Sequence, residues 1–397
     1  MTEIVTKNSN WHSTKLGDLV DIFDSKRIPL SSAERSKKKG TYPYYGASNI
    51  VDYVDDYLFD GEYLLVSEDG ENLKTRNTPI AFLAKGKFWV NNHAHILRGK
   101  KEHLTKYLCW YFSQLDISPF LTGAVQPKLS KKNLEAIKIN LPIDDIEQKT
   151  IVDFLSSIDN KIEALQSQNI KLEEIAQKVL REWFLNYNFP DISGRPYKKS
   201  GGKMKLESDL EIPQHWKLHE LRDVFAFIKG KKPEIVSPTS VEGFMPQILI
   251  EVFDGGVPSY ANPKGLITAE AEDIIMVMDG ASSGRLEFGF AGIIGSTLSV
   301  LKCSDNVRSI LYFFLKIQER DIRSKTTGSA IPHTDKERIY RLQIALPESN
   351  SEFAMFDNYF SIIRKKIAHN RKMISTLRNI KNKTLPRLMR GQVKLLT

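Results

Sequence analysis

The chain is predicted to be an α+β protein, with two similar mixed α/β modules separated by two long helices that form an antiparallel coiled coil. Three observations predict this. The first is a duplication, because landmarks of the first half recur in the second at an offset of 205 residues. Trp11, Leu16 and Asp18 return as Trp216, Leu221 and Asp223. Thr122, Gly123, Pro127, Leu141 and Pro142 return as Thr327, Gly328, Pro332, Leu346 and Pro347. Solenoid units run to only about 20–50 residues, so a repeat this long marks a duplicated domain pair. The second observation is a change of hydrophobic period after each module, from short strand-like runs to helical stepping. The third is charge: the first long helix is acidic and the second basic.

Within the first module, EYLLV (62–66) and FWVNNHAHIL (88–97) read as strands between Gly, Asn and Asp turns. Their counterparts are DIIMVM (273–278) and GIIGSTLSVL (292–301). A helical run follows in each copy, TKYLCWYFSQL (105–115) and VRSILYFFLKIQ (307–318). A Thr-Gly loop comes next, then a short strand (AIKINLP, RLQIALP) that a proline stops.

After Pro142, Leu155, Ile158, Ile162, Leu165, Asn169, Leu172, Ala176, Val179 and Trp183 step by three and four, the a/d seam of a coiled coil. The second copy supplies Phe360, Ile363, Ile367, Asn370, Ile374 and Leu377, then is expected to weaken at Lys381 and break near Pro386. Residues 144–185 carry nine acidic and five basic side chains, whereas residues 358–397 carry eleven Lys or Arg and no acid. Opposite charges on matching seams favour pairing of the two helices with each other. Asn169 in the a register and Asn370 in the d register are expected to share a layer and set alignment. The resulting division is a module over 1–142, a helix over 143–185 and an exposed linker over 186–215. A second module then covers 216–347, and a helix with a basic tail covers 348–397.

Composition excludes several classes. No apolar run reaches the roughly 18–20 residues of a membrane span, and MTEIVTKNSN is no signal peptide. Cys109 and Cys303 have no partner spacing and read as reduced core residues of a cytoplasmic protein. The net charge of +9 is concentrated in the last forty residues, so an argument for nucleic acid must rest on local patches. No phosphate-binding G-x-x-x-x-G-K-[ST] exists, and FGFAG (288–292) is followed by apolar strand rather than by a helix. No Asn-Pro-Pro-aromatic methyltransferase motif occurs. Pro190-Asp191 lacks the following Glu-x-Lys of a common nuclease cluster. His93 and His95 lack a clustered third ligand, so no metal site and no catalytic residue is expected.

Local patches do suit nucleic acid. Lys26, Arg27, Lys37, Lys38 and Lys39 lie early in the first module beside Tyr45 in TYPYYGASN, and Lys229, Lys231 and Lys232 take the equivalent place in the second. Such cations neutralise phosphates, while amides, hydroxyls, Arg and His read base edges. Candidate readers are Asn91, Asn92, His93, Gln126 and Lys128 in copy one. In copy two they are Ser282, Ser283, Arg285, Ser329 and His333.

Together these features resemble the specificity subunit of type I restriction–modification systems. The resemblance covers essentially the whole chain. It rests on W…L-x-D opening each half, T-G…P…LP closing each module, ID-N-KI (158–162) and II-RK-KI (362–367) in the helices, and FPDISGRPYKKSGG leading into IP-x-x-W (212–216). It implies two target recognition domains, each reading half of a bipartite, asymmetric site in double-stranded DNA, with the paired helices as spacer. It also implies a non-catalytic chain without cofactor of its own. Two modification subunits would bring S-adenosylmethionine for adenine methylation, and restriction subunits would bring ATP and Mg2+ for translocation and cleavage. Independently, the 28 residues from Leu155 to Trp183 measure roughly 42 Å at about 1.5 Å per residue. That equals roughly 12 base pairs at about 3.4 Å each. The rival reading is a coiled-coil scaffold whose duplicated modules bind proteins or peptides.

Overall fold

The structure, a computed structural model, describes residues 10–123, 126–328 and 332–395. The chain divides into two compact units, Met1–Lys161 with Leu377–Thr397, and Ile162–Thr376.

The first unit is built on a six-stranded sheet in the order Val20–Ile22, Ala94–Gly99, Phe59–Ser67, Ala81–Val90, Lys39–Tyr45, Ile50–Val54. The central strand reads as a continuous apolar run because both its faces are covered. Leu64 and Val66 face the helix Glu102–Gln114 with Leu97, Tyr107, Leu108 and Phe112. Tyr63 and Leu65 face an aromatic layer in which Phe59 stacks on Phe88 at 5.5 Å. The run 88–97 is not one strand. Asn91 Oδ1 accepts the His93 N–H, and the chain turns there into the next strand.

The second unit carries two four-stranded sheets. One is Phe225–Lys229, Leu298–Cys303, Ile274–Val277 and Leu286–Glu287. The other is Tyr260–Ala261, Met245–Ile248, Gly292–Ile294 and Thr268–Ala269. The run 292–301 is likewise split, by a turn in which Leu298 N donates to Gly295 O. Helix Asp305–Ser324 buries Ile310, Leu311, Phe313 and Phe314 in the core.

Each unit also has a two-stranded antiparallel pair, and here the duplication is visible as register. Trp11 lies opposite Pro142, and Trp216 opposite Pro347. The paired W and LP landmarks of each copy are therefore cross-strand neighbours.

Two long helices, Asp145–Leu180 and Asn350–Met389, contribute to both units. In the first unit Asp159 meets Lys381 at 2.6 Å. In the second, Asn169 meets Asn370 and Trp183 packs against Phe356, Tyr359 and Phe360. Rising numbers on one helix meet falling numbers on the other, so the pairing is antiparallel. Leu155, Ile158, Ile162, Leu165, Ala176, Ile363, Ile367, Asn370 and Ile374 are buried, whereas Asn169, Leu172, Val179 and Leu377 are half-buried.

Two expectations are corrected. The second helix does not break near Pro386 but continues to Met389. Leu385, Leu388, Met389 and Val393 are buried in the first unit's core with Leu155. Their burial outweighs a proline that sits within the last turn, where little helix remains to disrupt. Gly391 then ends it at φ +65°, with its N–H on Leu388 O, where an added Cβ would lie 2.9 Å from Trp11.

Residues 186–215 are not a plain exposed linker either. Phe189 stacks between Trp216 (4.7 Å) and Tyr197 (4.8 Å), and Ile212 is fully buried on the hairpin Met204–Glu207/Leu210–Pro213. Stacked aromatics bury area without any sequence period, so periodicity could not reveal them. Among the described residues no helix is long and apolar enough to cross a membrane.

Candidate nucleic-acid interface

The same backbone device recurs in both copies. An Asp-Gly turn follows the central strand, and the Thr-Gly…Pro loop docks onto it. In copy one Gly70 N donates to Pro127 O at 3.0 Å, and Thr122 and Lys128 exchange backbone hydrogen bonds of 2.8 and 2.7 Å. In copy two Gly280 N donates to Pro332 O at 2.9 Å, and Thr327 and His333 exchange bonds of 2.9 and 2.7 Å. Each loop is thus pinched closed at its base. Gly123 and Gly328 begin the loops at φ +88° and +90°. An added Cβ at Gly123 would meet Gln126 O at 2.2 Å, which explains the Thr-Gly landmark.

What differs is the side-chain chemistry around the pinch. In copy one Asp69 faces His93 Nδ1 at 2.9 Å, and Lys128 Nζ lies 3.3 Å from Glu68. Arg27 Nη1 donates to Glu68 at 2.6 Å and to Ala94 O at 2.9 Å. Burial acts to raise the Glu68 carboxyl, but Arg27, His95 and Lys128 outweigh it and hold it below its ordinary value. In copy two Asp279 takes His333 Nδ1 at 2.7 Å and Lys229 Nζ at 3.2 Å. Burial opposes these two partners, and the net shift of Asp279 is again downward.

A scan of protein families matches the description "Type I restriction modification DNA specificity domain" twice, over residues 8–174 and 213–383. The chain belongs to this family. A putative type I restriction enzyme specificity subunit of Haemophilus influenzae is 39% identical over 127 residues, 32% of each chain. The type I restriction enzyme MjaVIII specificity subunit of Methanocaldococcus jannaschii is 32% identical over 169 residues, 40% of each chain. The chain thus spans about a third to two fifths of the length of these two curated relatives. The MjaIX specificity subunit of the same organism is 22% identical across 95% of this chain and 94% of its own. A crystal structure of a type I restriction–modification S subunit from M. genitalium superposes over all of both chains with a TM-score of 0.61, at 16% identity, a likeness of fold.

In this specificity-domain chain the candidates fall into three groups. Around the first pinch lie Asn91, Asn92, His93 and Lys128, with Gln126 exposed in the loop itself. Asn91 N also bonds Tyr45 O, but the Tyr45 ring is half-buried against Phe82 and Phe88. Around the second lie Lys229, His333 and Ser282, with Lys231 and Lys232 exposed just beyond Lys229. Ser329 lies outside the described residues.

A second group sits elsewhere in the first unit. Lys39 binds Asp52 at 2.6 Å, and this hydrogen bond leads the interactions that hold Asp52 at about 2. Lys38 lies 3.9 Å from Asp55, Lys37 is exposed, and Lys26 is exposed over the Phe23 ring. Lys38 and Lys39 border the strand Ile50–Val54, away from the pinch, whereas Lys26 sits on the Asp24–Lys26 turn next to Arg27.

The third group is committed to framework contacts. Ser283 is buried, and its hydroxyl is shared between Gly280 O and Pro332 O. Arg285 pairs with Asp254 and Glu287 over the Phe253 ring. Arg27 is tied as described. Sequence reading also missed Glu68, Asp69 and Asp279, the carboxylates that orient the basic side chains. The Asp-Gly pairs at 69–70 and 279–280 were the available signal.

Asp24, Glu68 and His95 lie close enough to share a metal ion. Arg27, 2.6 Å from Glu68 and 3.7 Å from Asp24, already occupies that ground with its charge. The cluster does not suit a cation.

Proposed function

We propose that the chain is the non-catalytic specificity subunit of a type I restriction–modification complex. In this reading modules 1–142 and 216–347 each recognise half of a bipartite, asymmetric target in double-stranded DNA. The paired helices set the spacer. The observation that carries it is the pinched loop, held by the same backbone bonds in both copies while its side chains differ. A constant scaffold with variable tips is what two readers of different sequences require.

Phosphate contacts fall to the exposed lysines, Lys26, Lys37, Lys231 and Lys232, and base contacts to Asn91, Asn92, Gln126, Lys128 and His333. S-adenosylmethionine, ATP and Mg2+ chemistry belongs to two modification subunits and to restriction subunits, in the cytoplasm. The test is modified-base sequencing of genomic DNA from cells with and without this gene, with the modification subunits present. A bipartite methylation motif should vanish with the gene. An unchanged methylation map would refute the reading. Deleting one heptad from both helices should shorten the gap and leave both half-sites alone.

A further inference from the structure

The two loops are pinched alike but anchored differently from beneath. Strand register makes His95 and Ser299 equivalent. Leu97 pairs with both Ile22 and Leu64, Leu301 pairs with both Phe227 and Ile274, and each of the two residues lies two positions earlier on its strand. His95 is 1% exposed. Its Nε2 donates to Leu129 O at 2.7 Å, and its Nδ1 lies 2.6 Å from Asp24 Oδ2. Asp24 is itself fixed by the Ile96 N–H at 3.0 Å. Leu129 directly follows Lys128, so the imidazole ties the base of the loop to the sheet.

In copy two the serine hydroxyl is buried and has no hydrogen-bond partner among the described residues. It is too short to reach the loop. There Thr334 Oγ1 donates to Val277 O at 2.8 Å, and Ser283 Oγ to Pro332 O at 2.8 Å. Copy one is anchored by an ionic, imidazole-centred knot, and copy two by neutral hydroxyls.

We propose that His95 is a positioning residue for half-site recognition by the first module, with Thr334 and Ser283 filling that role in the second. This rests on the specificity-subunit reading. A side chain reading a base edge must be held by its backbone, and a loop loosened at its base loses discrimination before it loses charge-driven binding.

The experiment uses the full chain in complex with its modification subunits, with methylation mapping over all near-cognate sites. His95→Leu should relax base preference at one half-site by tenfold or more, leave the other half-site unchanged, and leave the salt dependence of binding unaltered. His95→Gln, which retains a donor for Leu129 O, should restore part of the preference. Thr334→Val should relax the opposite half-site. Glu68→Gln, which loosens Arg27 and Lys128 while leaving both hydrogen bonds of His95 in place, provides a second probe should His95→Leu fail to fold. It should relax the same half-site as His95→Gln.

Wild-type preference at both half-sites in these variants, or equal loss at both, would overturn the proposal. A parent complex that methylates without any bipartite motif would instead overturn the underlying reading.

Discussion

Asn370 Nδ2 donates to Asn169 Oδ1 at 2.8 Å, and to Gln168 Oε1 at the same distance, from a side chain with no solvent exposure. The Asn370 Oδ1 has no hydrogen-bond partner among the described residues. A buried amide half satisfied is poor for stability but strong for alignment, because any shift of one helix along the other unpairs it. Asn169→Leu with Asn370→Leu should therefore raise the unfolding free energy by about 1 kcal/mol. It should also permit helix pairings one turn out of register, scored by cross-linking of cysteines placed for the shifted alignment. Greater stability with no shifted cross-link would show that the asparagines do not set register.

Lys381 replaces an apolar seam residue and binds Asp159 at 2.6 and 2.7 Å, while Trp110 Nε1 donates to the same carboxylate. Both ionic groups keep some solvent access, which limits the pair to about 1 kcal/mol. Lys381→Met should lower stability by that order. Asp159→Lys should cost more, by setting two cations together, and adding Lys381→Asp should recover part of the loss in a double-mutant cycle. Additive single effects would mean the contact carries no coupling.

Phe189 is buried in stacks with Trp216 and Tyr197. Phe189→Ala should destabilise the second unit by about 3–5 kcal/mol. Calorimetry or urea unfolding decides it, since a truly solvated linker would tolerate the change within about 0.5 kcal/mol.

Asp24 and Glu68 are both held below their ordinary values. Burial acts to raise each, but hydrogen bonds and charges from His95 and Arg27 prevail. A carboxyl depressed in the folded state contributes stability at pH above its unfolded value, and that contribution disappears as pH falls through the folded value. Stability should therefore decline as the solution is acidified below about pH 4.5, near the ordinary glutamate value. Glu68→Gln should be less stable at neutral pH and show a shallower acid decline. Parallel curves for parent and variant would deny Glu68 this role.

Seam positions and the W and LP landmarks were legible in the sequence because they are periodic or repeated, but that each W strand pairs with its LP strand was visible only in the fold. The candidate site was legible only as a neighbourhood. Arg27 resembled a free cation until its partner Glu68, 41 residues away, was placed beside it. His95 had no visible partner because Asp24 lies 71 residues off. Pro386 was misread for the same reason, since the burial that carries the helix past it comes from strands and helices far away in sequence.

The amino-acid sequence by itself determined the duplication, the two helical rods, their opposite charge and the family. Tertiary structure alone decided which polar residues serve the framework and which face outward. Side-chain direction depends on strand register and on charges supplied from distant segments, and neither is encoded at the residue concerned.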